Sequence, residues 1–267
     1  MIFIFAAHYG EVENIIKHKK MGKRKISFPF LQYFSKGLSK AKGESGEGNA
    51  EGNAEGMEVS ERRGDILLTL TGEGRNNAAA AVAATLAKEG AKRGDILLSI
   101  GSAAMLKAAG EDRLLGKWFL IHALEEEGSG RTFYPELLYR TDFPTARLIT
   151  GDKVLRRSDA NWATEMCGGR PERMRAEEIL LYDMESTAVF QSANAFLSLE
   201  NLFFLRCGTD FGVGENGSGQ HGSGKTVPEM LREQMRKEEE QVFSFLSNLE
   251  RLDVEKEKER EKEEAFL

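Results

Sequence analysis

The sequence has little cysteine and no excess of positive charge. Cys167 and Cys207 are too few among 267 residues for a disulfide scaffold or a four-ligand zinc site, which predicts a reducing, cytoplasmic location. Lys and Arg number 37 against 43 Asp and Glu, and the net charge of −6 argues against binding to nucleic acid. The four histidines show no metal-ligand spacing, so no metal is predicted.

The sequence also lacks a long apolar run. The longest runs, at 66–70 and 202–205, are far shorter than the roughly 20 residues that span a bilayer, so no membrane partner is expected. The apolar residues 1–7 have no basic leader and are soon followed by Glu11 and Glu13, which predicts a core strand rather than a secretory signal. With 40% hydrophobic residues, the chain can form the core of a globular enzyme.

Two segments have a biased composition. Residues 35–60 repeat Glu-Gly-Asn-Ala and offer almost nothing to bury, which predicts a flexible surface insertion. Residues 253–267 are rich in alternating Glu, Lys and Arg, a pattern typical of a solvated, charged C-terminal helix. The expected catalytic domain is therefore 1–252.

A near-repeat indicates the fold class. Arg-Gly-Asp-Ile-Leu-Leu occurs at 63–68 and again at 93–98, and the Ala-rich residues between the copies have helical periodicity. Strand, helix and strand in this order predict a parallel crossover. Further strands are predicted at 119–122, 148–150, 179–182 and 203–207, and further helices at 184–196 and 227–249. We expect a single α/β domain in which a central mixed, mostly parallel sheet is flanked by helices on both faces.

Acidic residues follow three of the predicted strands, where ligands bind in such sheets. Glu11 and Glu185 lie in the first turns of predicted helices, so stabilisation of a helix dipole is an alternative explanation for each. Asp210 follows the strand at 203–207 and has no helix to cap. It is the acid for which a binding or catalytic role is the simpler interpretation.

The motifs at these strand ends resemble those of the nucleoside phosphorylase family in order and approximate spacing. The start of the chain most resembles the methylthioadenosine/S-adenosylhomocysteine nucleosidases, and the match runs from residue 1 to about 210. The motifs are Ala7-(three residues)-Glu11-Val12, Thr71-Gly72-Glu73-Gly74-Arg75-Asn76-Asn77-Ala78, Gly101-Ser102-Ala103, Thr150-Gly151-Asp152, Asp183-Met184-Glu185-Ser186-Thr187-Ala188 and Arg206-Cys207-Gly208-Thr209-Asp210.

The resemblance implies roles for five residues in cleavage of a bond between a sugar and a purine base. Glu11 would activate water, and Ser102 would position that water and the carboxylate. Glu185 would accept hydrogen bonds from the ribose hydroxyls, with Met184 packed against the sugar. Asp210 would protonate the purine as it leaves. The resemblance further implies a small-molecule nucleoside substrate, no cofactor, and a homodimer or larger homo-oligomer.

Water and phosphate are alternative nucleophiles. The phosphorylases that this chain resembles carry a Gly-Asp-Pro-x-Arg loop after the first strand and often an Arg before the Gly-Ser turn, and residues 6–11 and 99–101 supply neither cation. A carboxylate at Glu11 would also repel phosphate, which favours hydrolysis. A phosphorylase stays open as an alternative. So does a catalytically weakened nucleoside-sensing protein, because Ala104, Met105 and Val154 depart from the family pattern.

Two glycine-rich motifs are interpreted as loops without a cofactor. Residues 219–226 fit the phosphate-loop pattern G-x-x-x-x-G-K-[ST], but the preceding predicted strand ends a dozen residues earlier and Pro228 delays the next helix. Residues 72–77 begin like a dinucleotide-binding turn but have Asn77 in place of the third glycine. Whether 219–226 contacts any anion is left open.

Overall fold

The computed structural model describes residues 1–25, 28–36, 65–107, 114–155, 179–212 and 227–265. Within these ranges the strands are β1 Ile2–Ala6, β2 Gly22–Lys23, β3 Gln32–Ser35, β4 Ile66–Leu70, β5 Ile96–Lys107, β6 Trp118–Glu126, β7 Thr132–Phe133, β8 Thr145–Thr150, β9 Leu180–Asp183 and β10 Leu202–Asp210. The α-helices are α1 Tyr9–His18, α2 Arg75–Glu89, α3 Ser186–Asn194, α4 Val227–Arg236 and α5 Glu239–Ala265, and a short 3₁₀ helix spans Leu199–Asn201.

The near-repeat places two equivalent strands on either side of β1. Ile2 pairs with Ile66 of β4 and with Ile96 of β5, and both pairings are parallel. The same register continues along the strands, so Phe3 lies between Leu67 and Leu97. The predicted crossover is confirmed, with β1 inserted between its two strands.

Five strands of the sheet close into a ring. β5 pairs with β10, β10 with β6, β6 with β8, β8 with β9, and β9 returns to β5. β1, β4, β3 and β2 extend from β5 as an open sheet. The predicted mixed α/β fold is confirmed, although the pairings among the described strands are equally divided, five parallel and five antiparallel, rather than mostly parallel.

Apolar side chains are buried on both faces of the open sheet, as expected for strands with continuous apolar runs. Ile2 and Ile4 belong to a core cluster that includes side chains of α1, α4 and α5. Phe3 and Phe5, which point to the other face, belong to a second cluster with side chains of α2 and α3. Helices therefore pack on each side of β1.

Two predicted elements differ most from the structure in their extent. The strand predicted from the second copy of the near-repeat, for which the expected range is 96–100, continues to Lys107, because β10 pairs with it as far as Ala104 and β9 pairs with it from Ala104 onward. The helix predicted for 227–249 is two helices, since residues 237–238 form a turn between α4 and α5.

Several sequence predictions fall on residues outside the described ranges. These are the phosphate-loop pattern at 219–226 and, apart from Ser35 and Lys36, the insertion at 35–60.

The charged C-terminal segment continues α5, and its first residue, Asp253, is buried rather than solvated. The domain boundary at 252 stays a prediction. None of the helices in the described ranges is both long enough and apolar enough to cross a bilayer.

Candidate active site

A cleft forms where β5 changes its neighbour. On one side of β5, pairing with β1 ends at Ser99 and pairing with β9 begins at Ala104. The intervening residues are therefore free to face the groups that follow β1 and β9. Ile100, Gly101 and Ser102 line an open cleft, together with Glu11, Thr71, Glu185 and Arg206.

The Glu11 carboxylate is fixed by four hydrogen bonds from two parts of the chain. The backbone N–H groups of Ala7 and His8 donate to Oε2, each at 3.0 Å. The backbone N–H and the hydroxyl of Ser102 donate to Oε1, each at 2.8 Å. The first two bonds are those of an acid in the first turn of α1. The two from Ser102, 91 residues away, go beyond helix capping and hold the carboxylate at the cleft.

Gly101 makes this arrangement possible. A Cβ at this position would lie 3.0 Å from Oε1 of Glu11, closer than a carbon and a carboxylate oxygen normally approach. Any larger residue at 101 would therefore press on the carboxylate, which explains why the chain has glycine in the middle of a strand here.

Glu185 lies on the other side of the cleft, immediately before α3. Its carboxylate does not cap that helix. Oε1 instead accepts a 2.7 Å hydrogen bond from the backbone N–H of Gly74, and Oε2 accepts one of 3.2 Å from Met184. Gly74 has φ +89°, in the left-handed region that favours glycine, and it is the N-cap residue directly before α2. The dipole of α3 alone therefore does not account for this acid.

The environment of Glu185 opposes its ionisation. Burial has the largest effect, followed by the negative charge of Asp183, and Glu11 adds to both. The Gly74 N–H and the Arg206 guanidinium act in the opposite direction. The net result raises the pKa of Glu185 to about 7. A carboxyl group that titrates near neutral pH in a cleft is typical of a functional site.

Asp210 and Met184 lie outside the lining of this cleft. Asp210 ends β10 opposite Ala104, two residues along β5 from Ser102. Its carboxylate accepts hydrogen bonds from the Thr209 hydroxyl at 2.9 Å and the Gly212 N–H at 2.7 Å. Met184 is partly buried against a small cluster formed by Ile149, Leu155, Leu180 and Tyr182. The structure thus brings Glu11, Ser102 and Glu185 together, with Asp210 at the end of the adjacent strand.

Sequence reasoning missed one charged group of the cleft. Arg206 lines it, yet its side chain is 4% exposed and forms an ion pair with Asp183. The signal was present, since an arginine within the apolar run of β10 requires a buried partner. Within the described ranges, no three His, Cys, Asp or Glu side chains are grouped as a metal would require.

Neither a protein-family model nor a curated protein matches the sequence. Solved structures do match, and they define the class of fold as that of the methylthioadenosine/S-adenosylhomocysteine nucleosidases. The resemblance noted in the sequence is confirmed at the level of the fold.

Three of these structures illustrate the extent of the likeness. The S-adenosylhomocysteine nucleosidase of Streptococcus pyogenes has a TM-score of 0.62 and 15% identity, covering 93% of this chain and 96% of its own. The nucleosidase of Campylobacter jejuni has a TM-score of 0.61 and 15% identity, covering 94% of this chain and 98% of its own. The nucleosidase of Neisseria meningitidis, in complex with methylthio-immucillin-A, has a TM-score of 0.57 and 15% identity, covering 96% of this chain and 98% of its own.

Proposed function

We propose that the protein hydrolyses the N-glycosidic bond of a purine nucleoside or thionucleoside, of the methylthioadenosine or S-adenosylhomocysteine type, and releases the free base. The observation that carries this proposal is the Glu11 carboxylate, held by both donors of Ser102 and facing Glu185 across one cleft. The two acids belong to the α1 and β9 regions, far apart in the chain. Their convergence at the strand ends of a nucleosidase-like fold supports the assignment.

Each acid has a distinct part in this reaction. As the bond from C1′ to the base nitrogen breaks, its electron pair leaves with the base, and Asp210 supplies a proton to the purine ring. The oxygen of a water molecule bonds to C1′, and Glu11 accepts the proton that this water loses. Glu185, once ionised, accepts hydrogen bonds from the sugar hydroxyls and holds the oxocarbenium-like sugar between the other two groups.

Water is a better nucleophile than phosphate at this cleft. The N–H and O–H of Ser102 are donors that an anion would use, and both are already bonded to Glu11. Phosphate would have to displace a carboxylate and then lie beside it. One observation favours a phosphorylase as the second candidate: Arg232 of α4 approaches the first turn of α1, where a Cβ on Gly10 would lie 3.4 Å from its Nε.

One assay separates the candidates. The purified protein is incubated with methylthioadenosine, S-adenosylhomocysteine, adenosine and inosine, with and without phosphate, and free base is measured. Release of base in the absence of phosphate is the expected result. Release only in its presence would establish the phosphorylase instead, and binding without release would establish a nucleoside-sensing protein.

Replacing Gly101 by alanine is expected to lower kcat by about tenfold or more, because the new methyl group forces Glu11 away from its position and small displacements of reacting groups are costly. The measurement is steady-state hydrolysis, with Gly22→Ala as the matched control because a Cβ at Gly22 meets nothing within 4 Å. Equal kcat values in the two variants would show that Glu11 tolerates displacement and is not the base.

Replacing Glu185 by glutamine is expected to abolish tight substrate binding and yet stabilise the protein above neutral pH. Because folding raises the pKa of Glu185 from 4.5 to about 7, the folded state binds the proton more tightly, and stability is lost as the pH rises between these values. Glutamine removes that loss, so the free energy of unfolding should exceed that of the wild type by up to about 3 kcal/mol near pH 8, with little difference at pH 4.

Urea unfolding of both proteins across this pH range measures the difference. Glu13→Gln is the control, since a hydrogen bond from Lys17 lowers the pKa of Glu13, and its loss should bring no such gain. If the free energy of unfolding of Glu185→Gln varied with pH in parallel with that of the wild type, the raised pKa of Glu185 would be contradicted.

We also propose a cytoplasmic location and self-association into a homodimer or larger assembly. The two cysteines in 267 residues support the first. For the second, the support is the resemblance to a family whose members are commonly oligomeric. Analytical ultracentrifugation of the purified chain tests the assembly directly.

A further inference from the structure

A buried ion pair lies beneath the Glu185 side of the cleft. The Nε of Arg206 is 3.0 Å from Oδ2 of Asp183, and the two side chains are 4% and 2% exposed. Nη2 of Arg206 also donates to the hydroxyls of Ser99, at 2.9 Å, and Ser186, at 2.6 Å. The pair connects β9 with β10, two strands that both flank β5 within the ring.

Asp183 in turn fixes the backbone from which Glu185 extends. Its Oδ1 accepts a 3.4 Å contact from the backbone N–H of Glu185 and a 2.8 Å hydrogen bond from the Thr150 hydroxyl. Its Oδ2 accepts a 3.2 Å bond from the backbone N–H of Ser186. The backbone at Glu185 and Ser186 is therefore attached to this one carboxylate, and through it to Arg206.

We propose that Asp183 and Arg206 are positioning residues that fix the orientation and the charge of Glu185, the group assigned to the sugar hydroxyls, an assignment that rests on the proposed function. Asp183 acts through the backbone that it holds. Arg206, which also lines the cleft, acts through its charge. Neither is expected to touch the reacting bond.

The charged groups that face Glu185 predict pKa shifts of opposite sign in two variants. Asp183 on β9 and Glu11 on α1 are negative and disfavour its ionised form, whereas Arg206 on β10 and the Gly74 N–H at the start of α2 favour it. Neutralising Asp183 should therefore lower the pKa of Glu185, and neutralising Arg206 should raise it. A buried pair that served only to stabilise the fold would give unfolding in both variants but no opposed effects.

The decisive experiment is a carbon-13 NMR titration of the side-chain carboxyl of Glu185, with its signal assigned by its absence in Glu185→Gln. We expect the midpoint to move down by about 1 pH unit or more in Asp183→Asn and up by a similar amount in Arg206→Gln. Arg206→Lys, which keeps the charge, should move it by less than half as much. Shifts in the same direction, or no shift, would overturn the proposal.

Either single variant leaves a buried charge without its partner, so one of them could fail to fold. The double variant Asp183→Asn/Arg206→Gln leaves no such charge, and its midpoint should lie between those of the two single variants. If both single variants fold, a midpoint of the double variant outside that interval would overturn the proposal. If only Arg206→Gln folds, the proposal is overturned when the double variant has the same midpoint as Arg206→Gln. Asp142→Asn, an exposed acid elsewhere, controls for loss of one negative charge.

The titration needs no substrate, which separates this inference from the proposed function. If the wild type releases no base from any nucleoside, the function is wrong, but opposed midpoints would still establish the roles of Asp183 and Arg206. With activity present, the pH dependence of KM should move in the same two directions while kcat at high pH changes less than tenfold. Opposed NMR midpoints without a matching movement of KM would contradict the link to substrate binding.

Discussion

Glu11→Gln is expected to lower kcat for nucleoside hydrolysis by at least about 10²-fold, the scale of a positioned general base. Glutamine cannot accept the proton that the attacking water loses. It also brings an amide N–H₂ group into a site that is surrounded by four hydrogen-bond donors: the backbone N–H groups of Ala7, His8 and Ser102 and the Ser102 hydroxyl. The amide N–H₂ of the glutamine must therefore face other donors. This displaces the side chain, an effect that adds to the loss of the general base.

Glu13→Gln is the matched control because Glu13 lies two residues further along α1 and pairs with Lys17 at 2.7 Å, away from Ser102. Its kcat should stay within about twofold of the wild type, since surface ion pairs contribute little. Measuring kcat over pH 5–9 for the three proteins completes the test. If Glu11→Gln turned over as fast as Glu13→Gln, Glu11 would have no part in the chemistry.

Asp210→Asn is the second variant with a large expected effect, again about 10²-fold or more in kcat. The asparagine side chain keeps one oxygen to accept the hydrogen bond from Gly212, so the loop at the end of β10 should hold its conformation. What it cannot do is give a proton to the purine. The loss should therefore depend on the substrate: a riboside whose leaving group departs without protonation should be cleaved with a loss of less than tenfold.

Comparison of that riboside with methylthioadenosine, in the wild type and in Asp210→Asn, measures this dependence. Asp142→Asn again serves as the control, because it neutralises an exposed acid that lies before β8 rather than at the cleft. An equal loss on both substrates would mean that Asp210 supports the fold of the site instead of protonating the base. No loss on either would remove it from the mechanism.

Sequence reasoning was most successful where the signal is local. Continuous apolar runs located β4, β8 and β10, and the repeated Arg-Gly-Asp-Ile-Leu-Leu predicted the crossover around β1. The same reasoning expected Glu11 and Glu185 to meet at strand ends, and both line one cleft. β1 runs parallel to β5 and β9 runs antiparallel to it, so the carboxyl ends of β1 and β9 approach each other along one side of β5. The prediction that both acids lie at strand ends was therefore correct, although the direction of β9 was not predicted.

The sequence did not predict features that depend on pairing between distant strands. Closure of the ring, for example, depends on β9 pairing with β5 from Ala104 onward, and no periodicity within either strand encodes that contact. The same limitation applies to Met184, whose neighbours come from β8, from Leu155 in the segment after it, and from β9. Arg206 belongs to one of the strand-end motifs, but its pairing with Asp183 depends on the positions of β9 and β10.

Closure of the ring also bears on how the protein avoids aggregation. In the described part of the chain, a strand that pairs on both sides offers no free backbone to a neighbouring molecule; the two-residue strand β7 pairs with β6 alone, and the open sheet ends at β2. This edge is only two residues long and includes Lys23. A short, charged edge is a poor template for intermolecular strand addition, so the unpaired border of this sheet should resist growth into larger β-structures at high protein concentration.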